Sequence, residues 1–318
     1  MGRGGGALPQ ASRTGPVRKG RVKIEEGIPL ARMTTVGIGG PAAALARPRT
    51  LAELEEALDW AARRGLDVRP IGLGSNLLAA DAGVDALVVR LEGELAVAEV
   101  QETVLLAGGG TPNAVCLHRA REAGLGGFEF ACAIPGTAGG GVRMNAGAYS
   151  SDWQAIVLRA LVVDADGARW RSNDELELSY RHSALLPGQV VAQVEFQLVA
   201  RPVAEIKETV AAMQARRKET QPTNRRTFGS VFKNPDHEPG AGRMIELCGL
   251  KGHCIGGATI SPRHGNFIEN AGGATAVAAI TLMAEARERV LDRFGVVLER
   301  EVELLGELEL PPVSADPG

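Results

Sequence analysis

The apolar residues change period along the chain, and those changes predict its elements. Leu51, Leu54, Leu58 and Ala62 fall on one face of a helix. Thr50 followed by Glu53 predicts a capping box at its start, and Gly65 its end. Short apolar runs at 68–71, 86–91 and 103–107 read as strands. Thr111-Pro112 opens a second helix that Ala123-Gly124 closes. Residues 156–163 and 168–171 flank Asp164-Ala165-Asp166-Gly167, a hairpin signal. From Val190 to Val199, Val194, Phe196 and Leu198 alternate with Gln193, Glu195 and Gln197, the pattern of a half-buried strand. After Pro202 the helical period returns with Val203, Ile206, Val210 and Met213 and runs into Arg216-Arg217-Lys218. A short helix is expected at 243–248. A long one from Thr275 carries Ile280, Met283, Val290 and Phe294 inward and ends at Gly295. Last comes a strand over 296–305, in which Val302 and Leu304 alternate with Glu299, Glu301 and Glu303.

This order predicts an α+β unit with a mixed sheet over 22–201 and a second α+β unit over 202–306, divided at Pro202. With 318 residues there is room for two cores. Residues 1–21, rich in Gly, Arg and Pro, and 307–318, rich in Pro, Glu and Asp, read as disordered tails. Composition narrows the class. Hydrophobic residues make up 45% and charged ones 23% of the chain, the balance of a soluble globular protein. A net charge of −3 argues against a general affinity for nucleic acid or acidic lipid. No run of eighteen apolar residues is present to span a membrane, and the first residues lack the apolar stretch of a signal peptide. Cys116, Cys132, Cys248 and Cys254 sit singly among apolar neighbours, as reduced thiols do in a cytoplasm. Cys248, His253 and Cys254 have no second ligand pair at zinc spacing, so no metal is expected.

Chemistry concentrates in a few places. Gly72-Leu73-Gly74-Ser75-Asn76 follows a strand, but Leu77 stands where a Rossmann fingerprint needs Gly, and no Gly-Lys-Ser/Thr of a phosphate loop follows. What remains is either a plain turn or a loop whose backbone N–H groups approach an anion, with Ser75 and Asn76 as added donors. The stretch 134–149, with Gly136, Gly139, Gly140, Gly141 and Gly147, costs backbone entropy that a chain tolerates where it bends around something. Thr137 and Asn145 can hydrogen-bond a ligand there, and Ile134 and Met144 can pack on a flat ring. A glycine-rich structural crossover is the alternative. Phe228-Gly229-Ser230-Val231-Phe232-Lys233-Asn234-Pro235 gathers a hydroxyl, a cation and an amide. It is either an ordinary Gly-Ser turn or a loop that hands a proton to a substrate while holding its charged end. Arg181 can bind a carboxylate in a bidentate way or lie free on the surface. The cations Arg216, Arg217, Lys218, Arg225, Arg226 and Lys233 suit either a solvated helix end or a phosphate clamp. One of Glu299, Glu301 and Glu303 can serve as a carboxyl acid or base, and periodicity does not choose among them. His264 with Asn266 is a further polar cluster. No Gly-x-Ser-x-Gly elbow or His-Glu-x-x-His motif supports a hydrolase.

Taken in order, six motifs resemble those of the UDP-N-acetylenolpyruvoylglucosamine reductase family, over roughly residues 25–306. They are Gly72-x-Gly74-Ser75-Asn76; Ile134-Pro135-Gly136-Thr137 through Met144-Asn145-Ala146-Gly147-Ala148-Tyr149; Tyr180-Arg181-x-Ser183; Gly229-Ser230-x-Phe232-Lys233-Asn234-Pro235; Gly249-Leu250-Lys251-Gly252 through His264-x-Asn266-Phe267-Ile268; and Leu298-Glu299-x-Glu301-Val302. The resemblance implies a two-part FAD-binding domain of the vanillyl-alcohol-oxidase type and a separate α+β substrate-binding domain. It implies non-covalent FAD, NADPH as electron donor, and a cytoplasmic enzyme of peptidoglycan precursor synthesis. NADPH would reduce the flavin and leave, and the enolpyruvyl sugar nucleotide would enter the same cleft. Hydride would pass from flavin N5 to the vinyl carbon, Ser230 would protonate the carbon beside the carboxylate, and Arg181 and Glu301 would stabilise the enolate. FAD contacts are implied at Gly72, Gly74, Ser75, Asn76, Leu77, Pro135, Gly136, Thr137, Gly139, Gly140, Asn145 and Gly147. Lys218, Lys233, Asn234 and His264 are candidates for the sugar nucleotide.

Three positions depart from the family pattern. Gly141 stands where Ala is frequent, Ser150 where Gly is frequent, and Ala133 where Gly commonly precedes Ile-Pro-Gly. No Tyr-bearing loop is inserted in the substrate domain, which implies the shorter type of the family. An oxidase of the same fold often carries a flavin-linking His in the first loop, and residues 71–80 have none. A binding protein on a degenerate scaffold is expected to have lost Ser230, Arg181 or Glu301, and all three are present.

Overall fold

The structure, a computed structural model, describes residues 22–313. The expected tail at 1–21 and the last part of the expected C-terminal tail, 314–318, lie outside the described residues. The first lobe contains β1 (Ile24–Pro29), β2 (Pro41–Ala46), α1 (Leu51–Ala62), β3 (Asp67–Pro70), β4 (Leu77–Ala79) and β5 (Val84–Val89). Four of these strands form a sheet in the order β1-β2-β5-β3, parallel except at the β1–β2 edge. On α1 the buried stripe is Leu54, Ala57, Leu58 and Ala61. The expected Ala62 is exposed instead, because a stripe drifts around a helix of 3.6 residues per turn. Thr50 accepts from the Glu53 N–H at 3.2 Å, but the Glu53 carboxylate turns to the Arg49 N–H at 2.7 Å. Only half of the expected capping box forms.

The second lobe runs through β6 (Ala98–Gln101), β7 (Val104–Gly108), α2 (Asn113–Glu122), β8 (Leu125–Gly126), α3 (Ala138–Met144), β9 (Gly147–Ala148), β10 (Ser151–Asp152), β11 (Val157–Asp164), β12 (Gly167–Ser172), α4 (Asn173–Leu176), β13 (Val190–Gln197), β14 (Val199–Ala200) and α5 (Val203–Thr220). Its antiparallel sheet has the order β12-β11-β13-β7-β6. Central β13 serves two cores. Val190 and Ala192 pack with α1 and the first lobe, while Val191, Val194 and Phe196 face the second. The change of side follows a register shift against β11, where Gln193 opposes Leu161 and Val191 opposes Val162. Ala192 is thus an extra residue in the ladder, and a bulge of this kind flips the alternation read from sequence. Phe128, Phe130, Trp153 and Phe196 fill the second core edge to face, with ring centroids 5.1–5.6 Å apart for Phe128–Phe196, Phe130–Trp153 and Phe128–Trp153. Ile206 and Val210 of α5 join this same core. By packing, α5 therefore belongs to the second lobe, and the division falls after it rather than at the expected Pro202.

The glycine-dense stretch is not one continuous bend, because α3 forms inside it. Glycine is a poor helix former, and packing explains its use here. A β-carbon on Gly141 would lie 2.2 Å from the Trp153 ring. The departure from Ala at this position thus makes room for an indole.

The third unit comprises β15 (Thr227–Ser230), α6 (Ala241–Leu247), β16 (Cys254–Ile255), β17 (Ala258–Ile260), β18 (Phe267–Asn270), α7 (Ala276–Phe294) and β19 (Glu303–Leu305). Its antiparallel sheet has the order β15-β18-β17-β16. Thr275 caps α7 and Gly295 closes it at φ +68°, as the sequence predicts. Met283 and Val290 are fully buried, with Ile280 and Phe294 packed beside them. The long final strand expected over 296–305 is shortened to Glu303–Leu305. Upstream, the backbone bonds singly to the stretch after β15: Lys233 N–H donates to the Glu299 carbonyl at 2.8 Å, and Glu301 N–H to the Val231 carbonyl at 2.9 Å. The chain also stays ordered beyond 306. Leu308 and Leu310 pack on the third core, and Arg287 donates to the Pro311 carbonyl at 2.7 Å.

The third unit is fastened to the first lobe. Strand β19 pairs in parallel with β4, Val36, Ile38 and Leu78 enter the third core, and Asp81 accepts from the Ala276 N–H at the start of α7 at 2.9 Å.

The β9–β10 hairpin turns through Tyr149 (φ +54°) and Ser150 (φ +60°). A two-residue turn with both residues left-handed favours Gly, which accounts for the family's habit at 150. Ser150→Gly is expected to raise stability by about 0.5–1 kcal/mol, and Gly141→Ala to lower it by more than 1 kcal/mol through overpacking (order of magnitude). Urea denaturation of the two variants checks both signs.

Candidate active site

Ser230 ends β15, so the Gly-Ser pair lies on a strand and not in the ordinary turn that the sequence also allowed. The chain after it is held from two sides. Val231 N–H donates to the Asn266 carbonyl at 2.9 Å. The buried Asn266 amide grips Phe232 by both ends, accepting from its N–H at 2.9 Å and donating to its carbonyl at 2.8 Å. Opposite, the Val231 carbonyl accepts from the N–H groups of Glu301 and Val302, at 2.9 and 3.3 Å. Ser230 and Glu301, far apart in sequence, are thus neighbours through one carbonyl. Periodicity left three glutamates open; of the three, Glu301 is the enclosed one. Its side chain is 15% exposed, against 75% for Glu299 and 49% for Glu303.

Arg181 completes the cluster from the second lobe. Its Nε donates to Glu301 Oε1 at 2.8 Å and its Nη2 to the Gly147 carbonyl at 2.9 Å. The side chain is 18% exposed, so the free-surface alternative does not hold. Nη1 of Arg181, Oε2 of Glu301 and Oγ of Ser230 have no hydrogen-bond partner among the described residues, which leaves a donor, an oxygen and a hydroxyl for a ligand. Burial pushes the Glu301 carboxyl up from its ordinary range, while Arg181 and then Lys233 pull it back. The Asn234 N–H donates to the Tyr180 hydroxyl at 3.2 Å, joining the second lobe to the third unit beside Arg181.

A second constellation adjoins the first. Ser75 Oγ donates to the Pro135 carbonyl at 2.5 Å, Gly72 packs against Thr137, and the Ser75 carbonyl lies against Gly229. The two glycine loops therefore meet, and their seam reaches Ser230. Gly74 sits at φ +66°, where a β-carbon would overlap the Met33 carbonyl at 2.0 Å. The N–H groups of residues 72–76, and those of Gly136 and Thr137, donate to no protein acceptor among the described residues. Buried Asn113 Oδ1 beside them also lacks a partner, while its Nδ2 donates to the Ile134 carbonyl at 3.0 Å. Such a run of free N–H groups is a nest for an anionic group such as a diphosphate, so the residues present fit FAD. A cavity of about 540 Å³ opens beside this cradle, lined in part by Leu73, Leu117, Pro135, Gly136, Val210 and Arg217. The Ser230–Arg181–Glu301 cluster lies outside it.

Several expected cofactor contacts are spent on the protein itself. Gly139 N–H donates to the Gly109 carbonyl at 2.9 Å and Gly140 N–H to Thr137 Oγ1 at 3.3 Å. Asn145 is fully enclosed, donates to Ser179 and Asp152, and accepts from the Gln154 N–H. The Gly147 carbonyl holds Arg181. Leu77 lies in β4, and the Asn76 amide donates to the Glu301 carbonyl at 3.1 Å, so this side chain steadies the segment that carries Glu301 just ahead of β19. Gly72, Gly74, Ser75, Gly136 and Thr137 keep open backbone donors, as does Asn76 through its N–H. Leu73, not selected from sequence, shares that property; its place between two chosen glycines was the available signal.

The substrate candidates also divide. Lys218, exposed in the last turn of α5, has no ion pair among the described residues. Lys233 Nζ reaches Glu299 at 3.4 Å. Asn234 Oδ1 is occupied by the Ala241 N–H at the start of α6, at 3.1 Å. His264 Nδ1 accepts from the Asn266 N–H at 3.2 Å and its ring meets Phe267 edge-on at 4.9 Å. It braces the loop of Asn266, whose clamp on Phe232, 34 residues away, has no local signal.

The two lobes with their open N–H cradle define a flavin-binding oxidoreductase, and the comparisons agree. A family model described as FAD binding domain matches residues 42–173. The model for the UDP-N-acetylenolpyruvoylglucosamine reductase C-terminal domain matches 221–305, beginning where α5 ends. A curated UDP-N-acetylenolpyruvoylglucosamine reductase 1 of Bacillus cereus is 43% identical over 90% of this chain and 95% of its own length. The reductase of Anaeromyxobacter dehalogenans is 43% identical over 89% and 85%. The crystal structure of the reductase from Thermus caldophilus superposes with a TM-score of 0.78 at 36% identity, covering 90% of this chain and 99% of that one. The chain belongs to the UDP-N-acetylenolpyruvoylglucosamine reductase family. The expected α+β organisation holds: a flavin-binding domain in two lobes with a separate third unit. FAD and NADPH are its cofactors.

Burial, then Lys251, holds His264 below the ordinary histidine range. A depressed folded-state value contributes stability that is complete above the unfolded value of about 6.5 and falls as pH drops through the lowered one. Thermal unfolding between pH 7.5 and 5 is expected to show this loss, and His264→Gln to flatten that part of the profile.

Proposed function

We propose that this chain reduces the enolpyruvyl group of a UDP-N-acetylglucosamine enolpyruvate to UDP-N-acetylmuramate in peptidoglycan precursor synthesis, with Ser230, Arg181 and Glu301 at the reacting carbon atoms. The observation that carries the reading is the 2.8 Å contact between Arg181 and Glu301, joined to Ser230 through the Val231 carbonyl. Bound FAD would supply the hydride for the vinyl carbon, with NADPH as the source of its electrons. Gly72, Leu73, Gly74, Ser75, Asn76, Gly136 and Thr137 would hold its diphosphate through backbone N–H groups.

The chain's own residues do the rest. A vinyl ether is a poor hydride acceptor until its carboxylate is neutralised, and the free Nη1 edge of Arg181 is suited to receive that carboxylate. Glu301 keeps Arg181 turned by occupying Nε. Its carboxyl, pushed up by burial, can share a proton with the developing enolate oxygen. The Ser230 hydroxyl, uncommitted to protein, gives its proton to the carbon beside the carboxylate. Serine is a weak acid in bulk water, but a fixed donor facing a strongly basic enolate transfers rapidly. Lys218 and Lys233 serve the sugar-nucleotide diphosphate, Lys233 by exchanging Glu299 for it. Asn234 and His264 contribute by holding α6 and the Asn266 loop in place. The substrate is a soluble nucleotide, and all four cysteines are free, which fits a cytoplasmic enzyme. No helix among the described residues is long and apolar enough to cross a membrane.

The two half-reactions separate these roles. Ser230→Ala is expected to leave bleaching of the flavin by NADPH near the wild-type rate while slowing reoxidation by the enolpyruvyl substrate about a hundredfold or more. Anaerobic stopped-flow absorbance follows each step, and equal losses in both would sink the assignment of Ser230. Glu301→Gln, with the same readout, is expected to slow only the second step.

A further inference from the structure

Arg181 has a positive φ of 53°. It sits in a tight turn closed by Ser179 and His182, which exchange backbone hydrogen bonds at 3.1 and 3.0 Å. That backbone region suits glycine or asparagine and strains an arginine. Strain of this kind persists only where the surroundings over-determine it. The surroundings here are three alternate residues from the end of α3 onward. The Arg143 carbonyl accepts from Ser183 Oγ at 2.7 Å. The Asn145 amide donates to the Ser179 carbonyl at 2.8 Å. The Gly147 carbonyl accepts from Arg181 itself. Both ends of the turn and the side chain at its tip are therefore gripped from one segment.

The grip extends further along the loop. The Arg143 guanidinium donates to the carbonyls of Leu185, Leu186 and Gln189, at 3.4, 3.2 and 2.6 Å. Asn145 is itself locked, closing α3 in the left-handed conformation and bonding to Asp152 and Gln154. Asn145 is wholly enclosed, and Arg143 directs both terminal nitrogens of its guanidinium at these carbonyls, so both side chains are engaged by the turn and the loop after it.

We propose that Arg143, Asn145 and Ser183 are positioning residues that hold the strained Arg181 turn, so that the second half of the glycine-rich stretch is a mount for the substrate-carboxylate arginine and not part of the flavin site. This rests on the reading of Arg181 given above. The mount fixes the direction of the guanidinium before substrate arrives, which spares the reaction the reorganisation a free arginine side chain would need.

A double-mutant cycle on the FAD-loaded enzyme tests it. Ser183→Ala removes one hydroxyl and is expected to leave flavin content and bleaching by NADPH unchanged. Reoxidation by the enolpyruvyl substrate should slow about tenfold, and Ser183→Thr should restore most of the rate. In an Arg181→Ala background the same Ser183→Ala change should have no further effect. An equal slowing in both backgrounds, or none in the wild-type background, overturns the proposal. If Arg181→Ala alone leaves reoxidation at the wild-type rate, it is the underlying reading of Arg181 that fails. Should Ser183→Ala not fold, Arg143→Lys keeps the charge but loses the fork across the three carbonyls, and it is read in the same cycle.

Discussion

The contact between Arg181 and Glu301 is the interaction on which the site depends. It joins the second lobe to the third unit and is shielded from water on both sides. A pair of this kind gives little net stability, because desolvation offsets most of the attraction. Removing one partner is another matter, leaving a buried charge uncompensated at a cost of about 3–5 kcal/mol. What the pair supplies is direction. With Nε occupied by Glu301 and Nη2 by the Gly147 carbonyl, a single edge of the guanidinium is left for a carboxylate.

Keeping that geometry requires the three units to hold still against one another, and the seam between the first lobe and the third unit is built from one strand pairing and from side chains that bond to backbone. Strands β4 and β19 pair, Asp81 caps α7, the Asn270 amide donates to the Val36 carbonyl at 2.9 Å, and Thr35 Oγ1 donates to the Thr227 carbonyl at 2.6 Å. Asn76 belongs to the same set. It follows the open N–H groups of the first glycine loop, and its side chain reaches the Glu301 carbonyl. The cofactor loop and the segment bearing Glu301 are thereby fixed to each other by one residue. The third unit is a separate sheet, but it shares a core with residues 36, 38 and 78.

Much of this was legible in the sequence where the signal is local. The α1 and α7 caps, the 164–167 hairpin and the glycine at 74 follow from backbone rules that operate within a few residues. The motifs pointed to Ser230, Arg181 and Glu301; the structure pairs Arg181 with Glu301 and sets the Glu301 backbone against Val231, the residue after Ser230. Less was legible where the cause lies far along the chain. The strand over 296–305 fails because its partner is the chain after β15 and not a regular ladder. Ala192 is an extra residue only in relation to β11. Asn145 read as a ligand-binding amide because it stands in a glycine-rich stretch, yet its partners at 152, 154 and 179 consume it. Gly141 read as a loosened pattern until Trp153 was seen to fill the space.

The most direct test is a crystal structure of the oxidised, FAD-loaded protein with the enolpyruvyl sugar nucleotide bound. The account predicts the substrate carboxylate on the free Nη1 edge of Arg181 with the Glu301 contact intact. It also predicts Ser230 Oγ within about 3.5 Å of the carbon beside that carboxylate. A carboxylate held instead by Lys218 or Lys233, with Ser230 turned away from the enolpyruvyl group, would contradict it.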